Sequence, residues 1–138
     1  MRVKLILYWV TTALITLESL VGGLWDLTYG HPKLLGDTHV VEVVTSLGYP
    51  AYMLAIIGIG KIPGAITLVV PGFLRLKEWA YAGIVFELAG AVISQAMCGH
   101  RSETVVPLFL LGLALASWAL RPPSRIVGKS LWPGRTEA

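Results

Sequence analysis

LILYWVTTALITLESLVGGL, residues 5–24, is the stretch on which the fold turns. Glu18 is its only charge, and at about 1.5 Å per residue a helix of this length crosses a hydrocarbon core of about 30 Å. Arg2 and Lys4 precede it, as in the basic region of a signal peptide. No small-residue cleavage site follows, however, and the apolar run exceeds the usual signal length, so a retained helix is expected. Three further apolar stretches follow, at about 51–70, 79–97 and 105–120, the last at the short end of the spanning range. Backbone groups in lipid must be satisfied within the segment, which favours helices. The expected fold is all-α, an integral membrane four-helix bundle.

Composition agrees with this reading. Of 138 residues, 55% are hydrophobic and 14% charged, and the mean hydropathy is +0.71. A water-soluble domain rarely presents that combination. The length suits a single membrane domain, 1–138, and leaves no room for a separate soluble catalytic domain. A net charge of +3 and a pI near 9.2 match basic residues gathered beside apolar segments, where they meet anionic lipid; no nucleic-acid partner is expected. One cysteine, Cys98, forms neither an internal disulfide nor a Cys-x-x-Cys redox pair. No phosphate-binding glycine loop, nucleophile elbow or paired-histidine helix motif occurs.

Between the first two stretches, residues 25–50 read as a connection containing an amphipathic run. Val40, Val43, Val44 and Leu47 recur at i, i+3, i+4 and i+7, which fits a short helix on the membrane surface, with Asp37 as N-cap and Gly48 and Pro50 as its stop. The β-branched content leaves a strand open. A plain connecting element is favoured over a lid for an internal cavity. Eight of the eleven Lys and Arg residues lie in the N-terminus, the 71–78 loop and the 121–138 tail. The positive-inside rule then sets both termini in the cytoplasm, with the amphipathic segment outside. Tyr8, Trp9, Trp79, Tyr81 and Trp118 read as inner interfacial anchors, and Trp25, Tyr29, Tyr49 and Tyr52 as outer ones. The Pro-rich basic tail is expected to be irregular and to touch anionic headgroups.

Glu18, Lys61 and Glu87 each interrupt a different apolar stretch. Burying such a charge at the bilayer centre costs about 2.5–3.5 kcal/mol on insertion scales, so the three are expected to turn inward and pair. Lys61 and Glu87 fall near mid-membrane, Glu18 nearer the outer side. Small residues share their faces: Gly83, Gly90, Ala91 and Ser94 with Glu87, and Gly58, Gly64 and Ala65 with Lys61. Pro63 removes a helical donor and is expected to bend the helix beside Lys61. Two carboxylates and one ammonium sum to −1, which a proton on one glutamate or a ligand would relieve. The same residues serve equally as a ligand site or as a buried lock fixing helix register. Cys98 and His100, facing His31 and His39, are weak candidates for a metal, since Cys-Gly-His is no recognised ligand spacing; no metal is expected.

Several segments together resemble the small bacterial DoxX-like membrane proteins. They are Tyr8 to Thr12, Gly22-Gly23-Leu24-Trp25-Asp26, Leu47 to Tyr52, Lys61 with Gly64, and Pro71-Gly72-Phe73-Leu74-Arg75-Leu76-Lys77-Glu78-Trp79-Ala80-Tyr81-Ala82-Gly83. The resemblance covers about residues 8–118 and implies a four-helix membrane bundle. It further implies association with quinone-reducing or other membrane oxidoreductase assemblies, and in distant relatives with assembly or cargo roles, but it supplies no catalytic residues. The expected function is an accessory or small-molecule-binding membrane subunit, not catalytic alone, with quinone as the suggested ligand and a homo-oligomer or oxidoreductase as partner. The alternatives are a structural or assembly factor and a small proton-coupled transporter.

Overall fold

The computed structural model describes residues 2–30 and 39–128. Among them it contains five α-helices and no strand: α1 Arg2–Thr28, α2 Val40–Ser46, α3 Met53–Val69, α4 Leu74–Met97 and α5 Val105–Ala119, followed by a 3-10 turn at Pro123–Arg125. The packing runs α1 against α3, α3 against α4, α4 against α5 and α5 against α1, which closes a ring, while α2 rests on α3.

The first helix runs past Leu24 to Thr28, so Trp25 and Asp26 are helical and not part of the connection. Nothing in Trp25–Thr28 breaks a helix. It ends where Tyr29 and Gly30 take positive φ, and the Gly30 amide returns to the Trp25 carbonyl at 2.9 Å. The helix of the third apolar stretch likewise starts earlier than hydropathy suggests, at Leu74, directly after Gly72 and Phe73 adopt left-handed backbone. Arg75, Lys77 and Glu78 therefore stand on helical turns. α3 continues unbroken through Pro63. α2 is a helix and not a strand, and Gly48 in the left-handed region closes it. Asp37, His31, Lys33 and the tail beyond Gly128 lie outside the described residues.

α1 and α4 are long and apolar enough to cross a membrane, and α3 and α5 are shorter apolar helices. Only 28% and 22% of the apolar windows of α1 and α4 are buried, the reverse of a core helix in a soluble protein. Their outward faces carry Leu14, Leu17, Phe86, Ile93 and Met97. Inside, Ile15, Leu68, Tyr81, Ile84, Leu88 and Ala114 form the apolar core. It is completed by a hydroxyl chain in which Ser117 Oγ lies 2.7 Å from Thr12 Oγ1 and 2.8 Å from the Tyr81 hydroxyl. These contacts tie α1, α4 and α5 together inside the ring.

One end of the ring is basic, and three of its cations, Lys77, Arg121 and Arg125, turn inward. Lys77 is almost fully buried, and its ammonium donates to the Thr67 and Val70 carbonyls and to that of Leu68 at 3.3 Å. Arg125 donates to the Leu68 carbonyl at 2.8 Å and to Val69 at 3.2 Å. Together the two cations cap the carbonyls that the end of α3 leaves unsatisfied, where the helix dipole favours positive charge. Arg121 pairs with Glu78 at 2.6 Å and sits over the Tyr81 and Trp118 rings. Arg125 covers Trp9. The start of the tail thus folds back on the helices, where Arg121 and Arg125 find their partners. Lys77→Met strips donors from buried carbonyls and is expected to cost about 1–3 kcal/mol, read as a lower midpoint of thermal unfolding in detergent.

Candidate functional site

Away from these arginines, at the middle of α3, the helices α1, α3 and α4 converge on Lys61. Its ammonium lies 2.9 Å from Glu87 Oε1, 3.5 Å from Asp26 Oδ2 and 3.6 Å from Glu18 Oε1. The three residues expected from sequence are therefore brought together, and a fourth, Asp26, joins them. An ammonium has three N–H donors and no acceptor, so each carboxylate can take one. The Glu87 contact has hydrogen-bond length, and the other two are ion pairs at longer range. The second oxygen of Glu18 accepts from Ser19 Oγ at 3.3 Å. The Lys61 side chain is 11% exposed and that of Asp26 9%.

Local sequence explains the convergence. Glu18, Gly22 and Asp26 fall at i, i+4 and i+8, one stripe of α1. A Cβ on Gly22 would stand 3.2 Å from both Glu18 Oε1 and Lys61 Nζ, so the missing side chain makes the room in which the ammonium sits between two acids. One residue on, Gly23 meets α3 directly: its Cβ would come within 3.0 Å of Lys61 Cβ and Ile62 Cγ1. Gly58 fits still more tightly, with a Cβ 2.8 Å from the Gly23 carbonyl oxygen and from Leu27 Cγ. Close backbone approach through small residues is how α1 and α3 set the reach of Lys61. The other small residues do not serve this purpose. Gly60, Gly64, Gly83 and Gly90 have open space where a Cβ would stand, so the expected close contact on the Glu87 face of α4 is absent.

That open space is a groove. A cavity of about 250 Å³ between α3 and α4 is lined by Gly60, Gly64, Gly83, Trp79, Lys61 and Glu87. A second cavity of about 380 Å³ lies under α2, where Val40, Val43 and Val44 face Trp25, Asp26 and Glu87 across it. The larger volume falls within the range of about 300–1,000 Å³ usual for small-molecule sites. The amphipathic face of α2 contributes Val40, Val43 and Val44 to the wall of this cavity, so the connecting segment borders the cluster. Trp25, read as an interfacial anchor, lines its wall. His39 also borders it, with Nδ1 2.9 Å from Glu42 Oε2.

The remaining candidates lie apart. Cys98 is exposed, its thiol 3.9 Å from the Leu47 carbonyl oxygen, and His100 Nδ1 is 3.8 Å from Glu103. Among the described residues no three His, Cys, Asp or Glu side chains are grouped for a metal.

A model of the DoxX-like family matches residues 10–117. The chain belongs to the DoxX-like family. The matched region contains all four members of the cluster. Membership, with the apolar helices, marks this DoxX-like chain as a membrane protein in contact with lipid. No curated protein and no solved structure matches it significantly.

Proposed function

We propose that this DoxX-like protein crosses the inner membrane four times, through α1, α3, α4 and α5, with both termini cytoplasmic. It serves as an accessory subunit that binds the polar head of a small amphipathic molecule at the Lys61 cluster. At 17 and 15 residues, α3 and α5 reach about 22–26 Å at 1.5 Å per residue, which suits a locally thinned or tightly anchored bilayer. The observation that carries the binding reading is the Lys61 ammonium, held by three carboxylates and bordering two cavities. Fully ionised, the group sums to −2, and an uncompensated charge of that size is costly away from water. A lock that only fixed helix register would be better balanced and would need no cavity.

Quinone is the ligand suggested by the family resemblance, with Lys61 donating to a carbonyl and Glu87 supplying a proton. The competing reading is a structural or assembly lock, favoured by the fact that each N–H of Lys61 already has a carboxylate within 3.6 Å. Purification from native membranes followed by mass spectrometry of bound small molecules separates the two. A molecule recovered with wild type should fall about tenfold or more with Asp26→Asn, a loss equivalent to about 1.4 kcal/mol. Binding of a short-chain ubiquinone to the same pair tests the quinone version. No molecule recovered with the folded wild type would leave the lock, and equal recovery from wild type and Asp26→Asn would remove Asp26 from the site.

A further inference from the structure

The groove between α3 and α4 meets the Lys61 cluster at Glu87, and the two features carry complementary information about what the site takes. Glu87 borders both cavities, as do Lys61 and Ile57. Its carboxylate is therefore the acid of the cluster that can be approached from the side of the bundle and from beneath α2. The cluster has three acids for one cation. A ligand carbonyl would have to compete with three carboxylates for one ammonium, whereas a ligand cation meets a surplus of acceptors.

The groove describes the rest of the ligand. Its volume of about 250 Å³ lies below the range of about 300–1,000 Å³ for whole-ligand sites, which suits a slender tail. Ile56, Trp79 and Ile84 make its walls apolar. Ile56 and Trp79 at its lips are 57% and 75% exposed, so on the proposed topology it opens sideways into acyl chains. Gly60, Gly64 and Gly83 leave it clear along its length.

Resting on the binding function proposed above, we infer that the ligand is a lipophilic amine drawn from the bilayer. Its ammonium pairs with Glu87, and its alkyl tail lies in the α3–α4 groove. Lys61 then keeps Glu18 and Asp26, and the net charge of the filled site falls from −2 to −1.

The test uses full-length protein in neutral detergent and counts bound molecules by native mass spectrometry for dodecylamine, dodecanol, dodecanoate and butylamine. Dodecylamine should bind about tenfold or more tightly than dodecanol or dodecanoate, and Glu87→Gln should remove that preference. Gly83→Leu starts from a Cβ position with nothing within 4 Å and extends a side chain into the groove; it should weaken dodecylamine and leave butylamine unchanged. Equal binding of dodecanol or dodecanoate overturns the amine assignment but leaves an amphiphile site. Unchanged dodecylamine binding by Gly83→Leu removes the tail from the groove. If no probe binds, the amine inference falls, and the Asp26-dependent recovery of a native ligand then decides separately whether the binding function survives. Unfolding midpoints of Glu87→Gln and Gly83→Leu near wild type exclude misfolding as the cause of any loss.

Discussion

Lys61→Met is expected to destabilise the protein by about 3–5 kcal/mol, the usual consequence of removing one partner from a buried ion pair. The substitution keeps the apolar stem and deletes the ammonium, so packing along α3 changes little. What changes is electrostatic. Glu18, Asp26 and Glu87 now face one another around a space that water enters poorly, and the set carries −3 unless protons bind. Glu18 and Glu87 side chains are each 26% exposed, which places the effect toward the lower end of that range. The measurement is the thermal unfolding midpoint in detergent, with intrinsic tryptophan fluorescence as readout. A second variant decides the cause: Lys61→Met combined with Asp26→Asn and Glu87→Gln removes the repulsion as well as the cation. Recovery of most of the lost stability identifies charge imbalance as the origin. A triple variant as unstable as the single one would mean that Lys61 acts through its contacts alone, and the account of the cluster as a charge-coupled unit would be wrong.

How much of this was legible in the sequence depends on which physical signal each residue sends. Glu18, Lys61 and Glu87 announce themselves because each interrupts an apolar run, and charge in such a run needs a partner. Asp26 sends no such signal, because hydropathy falls at the end of the first stretch and a terminal acid reads as the start of a loop. The helix in fact ends on backbone conformation at Tyr29 and Gly30, and the i, i+4, i+8 spacing of Glu18, Gly22 and Asp26 was the pattern that could have found it. Lys77, Arg121 and Arg125 were legible as basic boundary residues but not as caps and locks, since their targets are carbonyls of α3 and the Glu78 carboxylate, brought near only by the fold. The glycines posed the same difficulty. Gly58, Gly60 and Gly64 look alike in sequence, and only the position of α1 separates the one that is pressed from the two that are open.

That separation yields a prediction of opposite signs on one helix. Gly58→Ala sets a Cβ 2.8 Å from the Gly23 carbonyl oxygen and 2.8 Å from Leu27 Cγ. Leu27 can rotate, but the carbonyl belongs to the α1 backbone, so α1 and α3 must move apart. Overpacking of this kind costs about 1–3 kcal/mol, partly offset by the gain of about 0.5–1 kcal/mol when alanine replaces glycine in a helix interior. Gly64→Ala meets nothing within 4 Å and should show only the gain. The unfolding midpoint should therefore fall for Gly58→Ala and hold or rise for Gly64→Ala; equal shifts would mean that α1 and α3 do not meet at this crossing. The consequence reaches the cluster, because the same crossing sets Lys61 against two acids of α1 while Glu87 belongs to α4. Widening it lengthens the 3.5 and 3.6 Å contacts to Asp26 and Glu18 and leaves the Glu87 contact to hold the ammonium. Gly58→Ala should for that reason impair ligand recovery in the same direction as Asp26→Asn, even though residue 58 carries no polar side chain.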